Sequence, residues 1–187
     1  MKILYQGSPG AYSHLAALEV YPNAEIVPCK TFDECFSRAQ EDEKLKIIIP
    51  ESNKTTGNIG IEYLIFKYRL NIYAEHFHKI EHNLLGLPGA KITDIKNVLS
   101  HAQGLSQCSN FIKKNNLIEN VRADTAGSAE LIAKNQNKSD AAIASKLSAK
   151  IYKLDIVASN IENEKGNTTR FLIMGKSIQQ PELDKKK

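Results

Sequence analysis

Apolar residues along the chain fall into short continuous runs separated by stretches of helical period. KILYQ (2–6) reads as a strand, Ser8-Pro9-Gly10 as a turn, and AYSHLAALEVY (11–21) as a helix with Ala11, Leu15 and Leu18 on its apolar side. AEIVPC (24–29) is a second strand. Thr31 and Glu34 have the spacing of a capping box, and Phe32, Cys35, Phe36 and Ala39 follow at helical intervals. KLKIIIP (44–50) predicts a buried strand ended by Pro50, ESNKTTGNIG (51–60) a polar loop, and IEYLIFKYR (61–69) a helix. NIYAEHFHKIEHNLLGL (71–87) is one extended run, long enough to cross between two lobes, and Pro88-Gly89 breaks it.

The second half repeats the theme. KNVLSH (96–101) predicts a strand, and AQGLSQCSNFIKKNN (102–116) one helix entered from Ser100-His101. ENVRA is a strand, and Asp124-Thr125 caps the helix AGSAELIAKNQ. AAIAS (141–145) is a short buried strand before the helix LSAKIYK, LDIVASNI continues as strand or loop, and TTRFLIMGK (168–176) is a strong strand. SIQQPELDKKK (177–187) reads as a polar, frayed tail. Strands alternating with helices predict α/β architecture. No tandem repeat has a fixed period. The two βαβ-like halves place one lobe at about 1–75 plus 165–176 and a second at about 76–164. Clefts between such lobes are preferred ligand sites.

Composition narrows the function classes. Of 187 residues, 42% are apolar and 25% charged, as in ordinary globular proteins, and no run approaches the length of a membrane-spanning helix. The net charge of +4 depends on the terminal Lys185, Lys186 and Lys187. The body is nearly neutral and carries no nucleic-acid footprint. The N-terminus lacks the apolar core of a secretion signal, and Cys29, Cys35 and Cys108 have no metal-type spacing, so free thiols in a reducing cytoplasm are expected.

Four polar segments sit at strand–helix junctions. Gly7-Ser8-Pro9-Gly10, with Ser13 just beyond, allows close backbone approach to an anion at a helix start. Ser52, Asn53, Lys54, Thr55 and Thr56 crowd neutral donors and one cation into a loop. Ser100 lies at or near an N-cap position beside His101, with Gln103 and Gln107 one helical turn apart. Arg170, inside an apolar strand, requires a carboxylate partner from the protein or from an anionic ligand. His76, His78 and His82 share one face at period 2, an arrangement suited to zinc, but no Cys or carboxylate of known proximity completes it.

Read together, these segments resemble the catalytic domain of the prephenate dehydratase family. The resemblance lies in GSPGAYSHLAA (7–17), the Pro50–Gly57 loop, HNLLGLPGA (82–90), SHAQGLSQC (100–108), DTAGSAELIA (124–133), AAIASKLSAKIYKLDI (141–156) and NIENEKGNTTRFLIMG (160–175), in the family's order across 1–176. It implies a two-lobed, periplasmic-binding-protein-like α/β fold of type II. The implied reaction is the decarboxylating dehydration of prephenate to phenylpyruvate, in phenylalanine biosynthesis, in the cleft and without metal or organic cofactor. Thr169, in the Thr-Arg-Phe motif, would sit beside the leaving hydroxyl as donor or proton relay. Asn53, Gln107 and Ser100 match polar catalytic positions. Ser13, Gly10, Ser52, Lys54, His101, Arg170 and Phe171 are the implied substrate-binding residues. The implied partners are the small-molecule substrate and a second copy in a homodimer, with no nucleic acid and no membrane.

Two departures matter. Where the family loop carries Glu and Ser, this chain has Ser52 and Lys54, while Glu51 stands one position early and is expected to aim to the opposite side. The family usually has a regulatory domain after the Thr-Arg-Phe strand, whereas this chain stops about a dozen residues beyond that strand, so no phenylalanine feedback is expected. The alternatives are an impaired relative that binds a small aromatic or dicarboxylate anion, and a dehydratase acting on arogenate.

Overall fold

The computed structural model describes residues 1–177, and most of the tail anticipated at 177–187 lies outside them. In chain order the elements are β1 Lys2–Gln6, α1 Tyr12–Val20, β2 Glu25–Cys29, α2 Phe32–Glu41, β3 Leu45–Asn53, β4 Gly57–Asn58, α3 Glu62–Tyr68, β5 Asn71–Lys79, β6 Asn83–Gly86, β7 Asn97–Ser100, α4 Ala102–Gln107, α5 Ser109–Lys114, β8 Ile118–Val121, α6 Thr125–Asn135, β9 Asp140–Ala144, α7 Lys146–Tyr152, β10 Asp155–Ala158 and β11 Thr168–Gly175. They form two units. The first comprises Met1–Gly7, Tyr12–Lys79 and the described residues from Thr168; the second comprises Ser8–Ala11 and Ile80–Asn167.

The first unit is built on a sheet of order β2-β1-β3-β11-β5, with β4 paired to β3. β1 runs parallel to β2 and β3, while β11 runs antiparallel to both β3 and β5. Apolar side chains cover both faces, as the continuous runs Ile47-Ile48-Ile49 and Phe171 to Met174 require. Ile47, Ile49, Leu172 and Met174 face a core shared with Cys35, Phe36 and Ala39 of α2 and Leu64 of α3. α1 packs on β1, β3 and β5. Its buried side is Ser13, Ala16 and Ala17 rather than the expected Ala11, Leu15 and Leu18. The sheet beneath already carries large side chains such as Tyr5 and Phe171, so the small helix residues allow close approach.

Two boundaries also differ from expectation. β3 continues through Pro50 to Asn53. β1 pairs only with residues 45–47, so no parallel neighbour needs an N–H at Pro50. The extended run 71–87 divides at residues 80–82 into β5 and β6, which belong to different sheets. Thr31 caps α2 by accepting from the Glu34 N–H at 3.1 Å, and Glu34 reaches back to the Lys30 N–H at 2.8 Å instead of closing the box on Thr31.

The second unit has a sheet of order β10-β6-β9-β7-β8. Alternation divides its core. Leu84, Val98, Ala141 and Ile143 pack with Leu105, Cys108 and Ile112, while Leu85, Leu99, Ala142 and Ala144 pack with Ala129, Ile132 and Ala149. The helix expected over 102–116 is two, α4 and α5, joined at Cys108. Ser8–Ala11 is held here by side chains. The hydroxyls of Ser145 and Ser148 donate to the Gly10 carbonyl at 2.6 and 3.0 Å, and that of Tyr152 to the Pro9 carbonyl at 2.8 Å.

Gly10 has φ +93, and an added Cβ would stand 2.6 Å from Ser148 Oγ and 2.8 Å from Ser148 Cα. Gly57 has φ +80 with nothing within 4 Å of such a Cβ. Both substitutions to Ala meet left-handed strain, and only Gly10→Ala adds a backbone clash. Chemical denaturation is expected to show about 1 kcal/mol lost for Gly57→Ala and about 3 kcal/mol or more for Gly10→Ala. Equal losses would contradict this packing.

Candidate active site

Strand pairing brings the first cluster together. In the β11 ladder, Thr169 stands opposite Asn53 of β3 on one side and His78 of β5 on the other. The Asn53 amide Nδ2 donates to Thr169 Oγ1 at 2.9 Å, and both residues are buried. The amide cannot turn around easily. Its Oδ1 accepts from the N–H groups of Thr55 and Thr56 at 3.0 and 3.2 Å and from the Thr56 hydroxyl at 3.3 Å, an Asx-type turn that closes the β3–β4 hairpin. With one oxygen lone pair engaged by Asn53, Thr169 keeps its O–H proton to donate. Among the described residues no acceptor takes it.

The neighbouring positions alternate away. Arg170 points to the other face, where its Nε donates to Glu75 at 2.7 Å and Nη1 to Glu51 at 3.4 Å. The carboxylate partners of this cation are therefore supplied by the protein. Glu51 does not aim away from Ser52 as expected. It is the extra residue of a bulge opposite Arg170 and Phe171, and its carboxylate accepts from the Ser52 hydroxyl at 2.6 Å. A carboxylate thus reaches the side chain of position 52 from one residue earlier. Phe171 is a core residue, 1% exposed. Ser13 is buried on α1. Lys54 is exposed, and its backbone N–H donates to the Thr168 carbonyl at 2.9 Å.

In the second unit, Gln107 is half-buried at the end of α4, and its Oε1 pairs with His82 Nε2 at 2.8 Å. Burial lowers the pKa of His82 below its ordinary 6.5, against the opposing pull of Gln107 and Glu162. The imidazole is therefore neutral near pH 7 and donates from Nε2 to the Gln107 carbonyl oxygen. Ser100 is not the helix cap. It ends β7, fully buried, with its hydroxyl on the Ile143 carbonyl at 2.8 Å. His101 is the N-cap of α4, accepting from the Gln103 N–H at 3.3 Å. Gln103 is exposed and takes no part in the Gln107 pair. The three-histidine face also divides. His82 lies beyond β5 and turns to Gln107, whereas His76 and His78 meet Glu19 of α1. The supporting roles of Glu75 and Glu19 carry no local sequence signal, because each partner comes from a distant element.

The prephenate dehydratase profile matches residues 3–179. The chain belongs to the prephenate dehydratase family. Arogenate dehydratase/prephenate dehydratase 1 of Arabidopsis thaliana is 42% identical over 188 residues, 99% of this chain and 47% of the relative. The chain thus spans about half the length of the curated relatives it matches. Among solved structures, GqqA, described as a novel type of quorum quenching acylase, superposes with TM-score 0.87 at 34% identity, over 96% of this chain and 65% of that one. The prephenate dehydratase of Arthrobacter aurescens, in complex with L-Phe, superposes with TM-score 0.88 at 22% identity, over 97% and 62%, which shows the shared fold. Thr169-Arg170-Phe171 lies on β11 and Asn53 on the adjoining β3, both inside the matched range.

His82 and His14 are both held below their ordinary pKa by burial. The unfolded chain therefore binds more protons than the native one once the pH falls below 6.5. Stability is expected to drop as pH is lowered from 7 toward 5. His82→Gln should give a shallower slope of unfolding free energy against pH over that range, with His14 retaining its share. An unchanged slope would show that His82 is not buried as a neutral ring.

Proposed function

We propose that this chain catalyses the decarboxylating dehydration of prephenate to phenylpyruvate as a carbon–oxygen lyase, with Thr169 as the donor to the departing hydroxyl. The observation that carries the reading is the Asn53–Thr169 pair, a buried hydroxyl that accepts from a fixed amide and whose proton is available. The reaction breaks the ring C–O bond and the ring C–carboxylate bond together. The electron pair released with carbon dioxide completes the aromatic ring, and the departing hydroxide takes one proton to leave as water. A neutral donor aimed at that oxygen strengthens its hydrogen bond as charge develops, which lowers the barrier. Thr169 passes its proton to the leaving oxygen and regains one from solvent, while Asn53 steadies the transient alkoxide character on Oγ1.

Arogenate, in which an amine replaces the keto group of prephenate, is the second reading. It is favoured by the relatives' names, which include arogenate dehydratase as well as prephenate dehydratase. The reacting ring is the same, so the Thr169 role carries over unchanged. The GqqA likeness supports an acyl-transfer reading less well. In this chain the Thr169 hydroxyl is bonded to an amide rather than to a base, which suits donating a proton rather than attacking a carbonyl.

The test measures phenylpyruvate formed from prephenate and, separately, phenylalanine formed from arogenate. Thr169→Ala is expected to lower kcat by roughly 10²–10³-fold and Thr169→Ser to retain most activity. Asn53→Asp is nearly isosteric but replaces the donor with an acceptor. It captures the Thr169 proton and should lower kcat about as far as Thr169→Ala. Conversion of neither compound by folded protein would overturn the proposal, and so would a fully active Thr169→Ala variant.

A further inference from the structure

Outside the pair assigned to catalysis, one cluster gathers metal-ligating side chains from two elements. His76 and His78 are two apart on β5 and share the sheet face covered by α1, which presents Glu19. Glu19 Oε2 lies 2.8 Å from His76 Nε2 and 2.9 Å from His78 Nδ1, and the three ligand atoms all lie within 4.8 Å of one another. Two ring nitrogens thus converge on one carboxylate oxygen.

The geometry points to a site for one divalent transition ion, Zn²⁺ by its ligand set, bound by Glu19, His76 and His78 with water in the fourth position. Tetrahedral bonds of about 2.0–2.2 Å set ligand atoms roughly 3.3–3.6 Å apart. The two carboxylate–imidazole separations lie about half an ångström below that range, and the Glu19 side chain, 47% exposed, has room to move outward. Each imidazole presents a lone pair by shifting its proton to its other nitrogen. His78 is the deepest ligand, held in the ladder opposite Thr169 with the Tyr12 ring 6.1 Å from its own. His76 and Glu19 form the solvent side, where an exchangeable fourth ligand would enter. Three protein ligands and one open position are the composition of sites that exchange a bound water. The site lies on the same face of the sheet as Thr169, and its existence does not depend on the reaction assigned to that residue.

The chelator-stripped protein, titrated with Co²⁺ as the spectroscopic stand-in, is expected to bind one equivalent. The visible bands should be those of tetrahedral N/O coordination, and Zn²⁺ should abolish them by displacement. Glu19→Gln, close in shape and partly exposed, and His76→Ala should each weaken the ion at least tenfold, while far-UV circular dichroism confirms the fold. Zn²⁺ should raise the thermal midpoint of the wild type and leave that of the Glu19→Gln/His76→Ala double variant unmoved. Six-coordinate Co²⁺ spectra, thiolate-to-cobalt charge-transfer bands, or wild-type affinity no greater than that of the double variant would each overturn the assignment. These readouts do not involve turnover, so they separate this site from the dehydratase reading.

Discussion

β11 has a ladder partner along each edge, β3 on one side and β5 on the other, and this double pairing sets the first unit's chemistry. A strand inserted between two others must satisfy its backbone groups twice, so its register is specified twice. A slip by one residue would turn Thr169 and Phe171 toward the face now occupied by Arg170 and expose an apolar row to charge. The mismatch between neighbours is absorbed in bulges, at Glu51 in β3 and between Ile173 and Met174 opposite β5. Those irregularities let one strand carry a catalytic candidate, a charged residue and a core aromatic in three consecutive positions.

Alternation then separates charge from neutral polarity. On one face Arg170 is compensated by Glu75 and Glu51, partly exposed pairs whose net contribution is small, about 1 kcal/mol or less. On the other, Thr169 and Asn53 are uncharged and buried. Burying neutral donors costs far less than burying an unpaired cation, and a neutral hydroxyl still gains strength when an oxyanion forms beside it. That division is how a strand of strongly apolar character accommodates a polar site.

The two units use one device twice. In each, a carboxamide is oriented by engaging its oxygen. Thr55 and Thr56 occupy Asn53 Oδ1, and His82 occupies Gln107 Oε1. In Asn53 the amide nitrogen is thereby committed as a donor to Thr169. Preorganised donors of this kind need no reorientation when charge develops, which is where their advantage over water lies. His82 can serve only while neutral, and its burial keeps it so.

Much of this was legible in the residues. Strand and helix alternation, the caps at Thr31 and Asp124, and the family resemblance through Thr169 and Asn53 follow from local period and motif, since capping and alternation act within a few residues. The continuation of β3 through Pro50 and the buried side of α1 were not, because neighbouring strands and large sheet residues override local preference there, and neither was the break between α4 and α5 at Cys108. The three histidines show the limit most clearly. Period 2 places His76 and His78 on one face, which the sequence by itself determines. Only the tertiary structure brings Glu19 from α1, 57 residues away from His76, and sends His82 to Gln107 instead. Side-chain direction along a strand is a property of the backbone repeat, whereas the partner met across space depends on how the elements pack, and no local pattern encodes that.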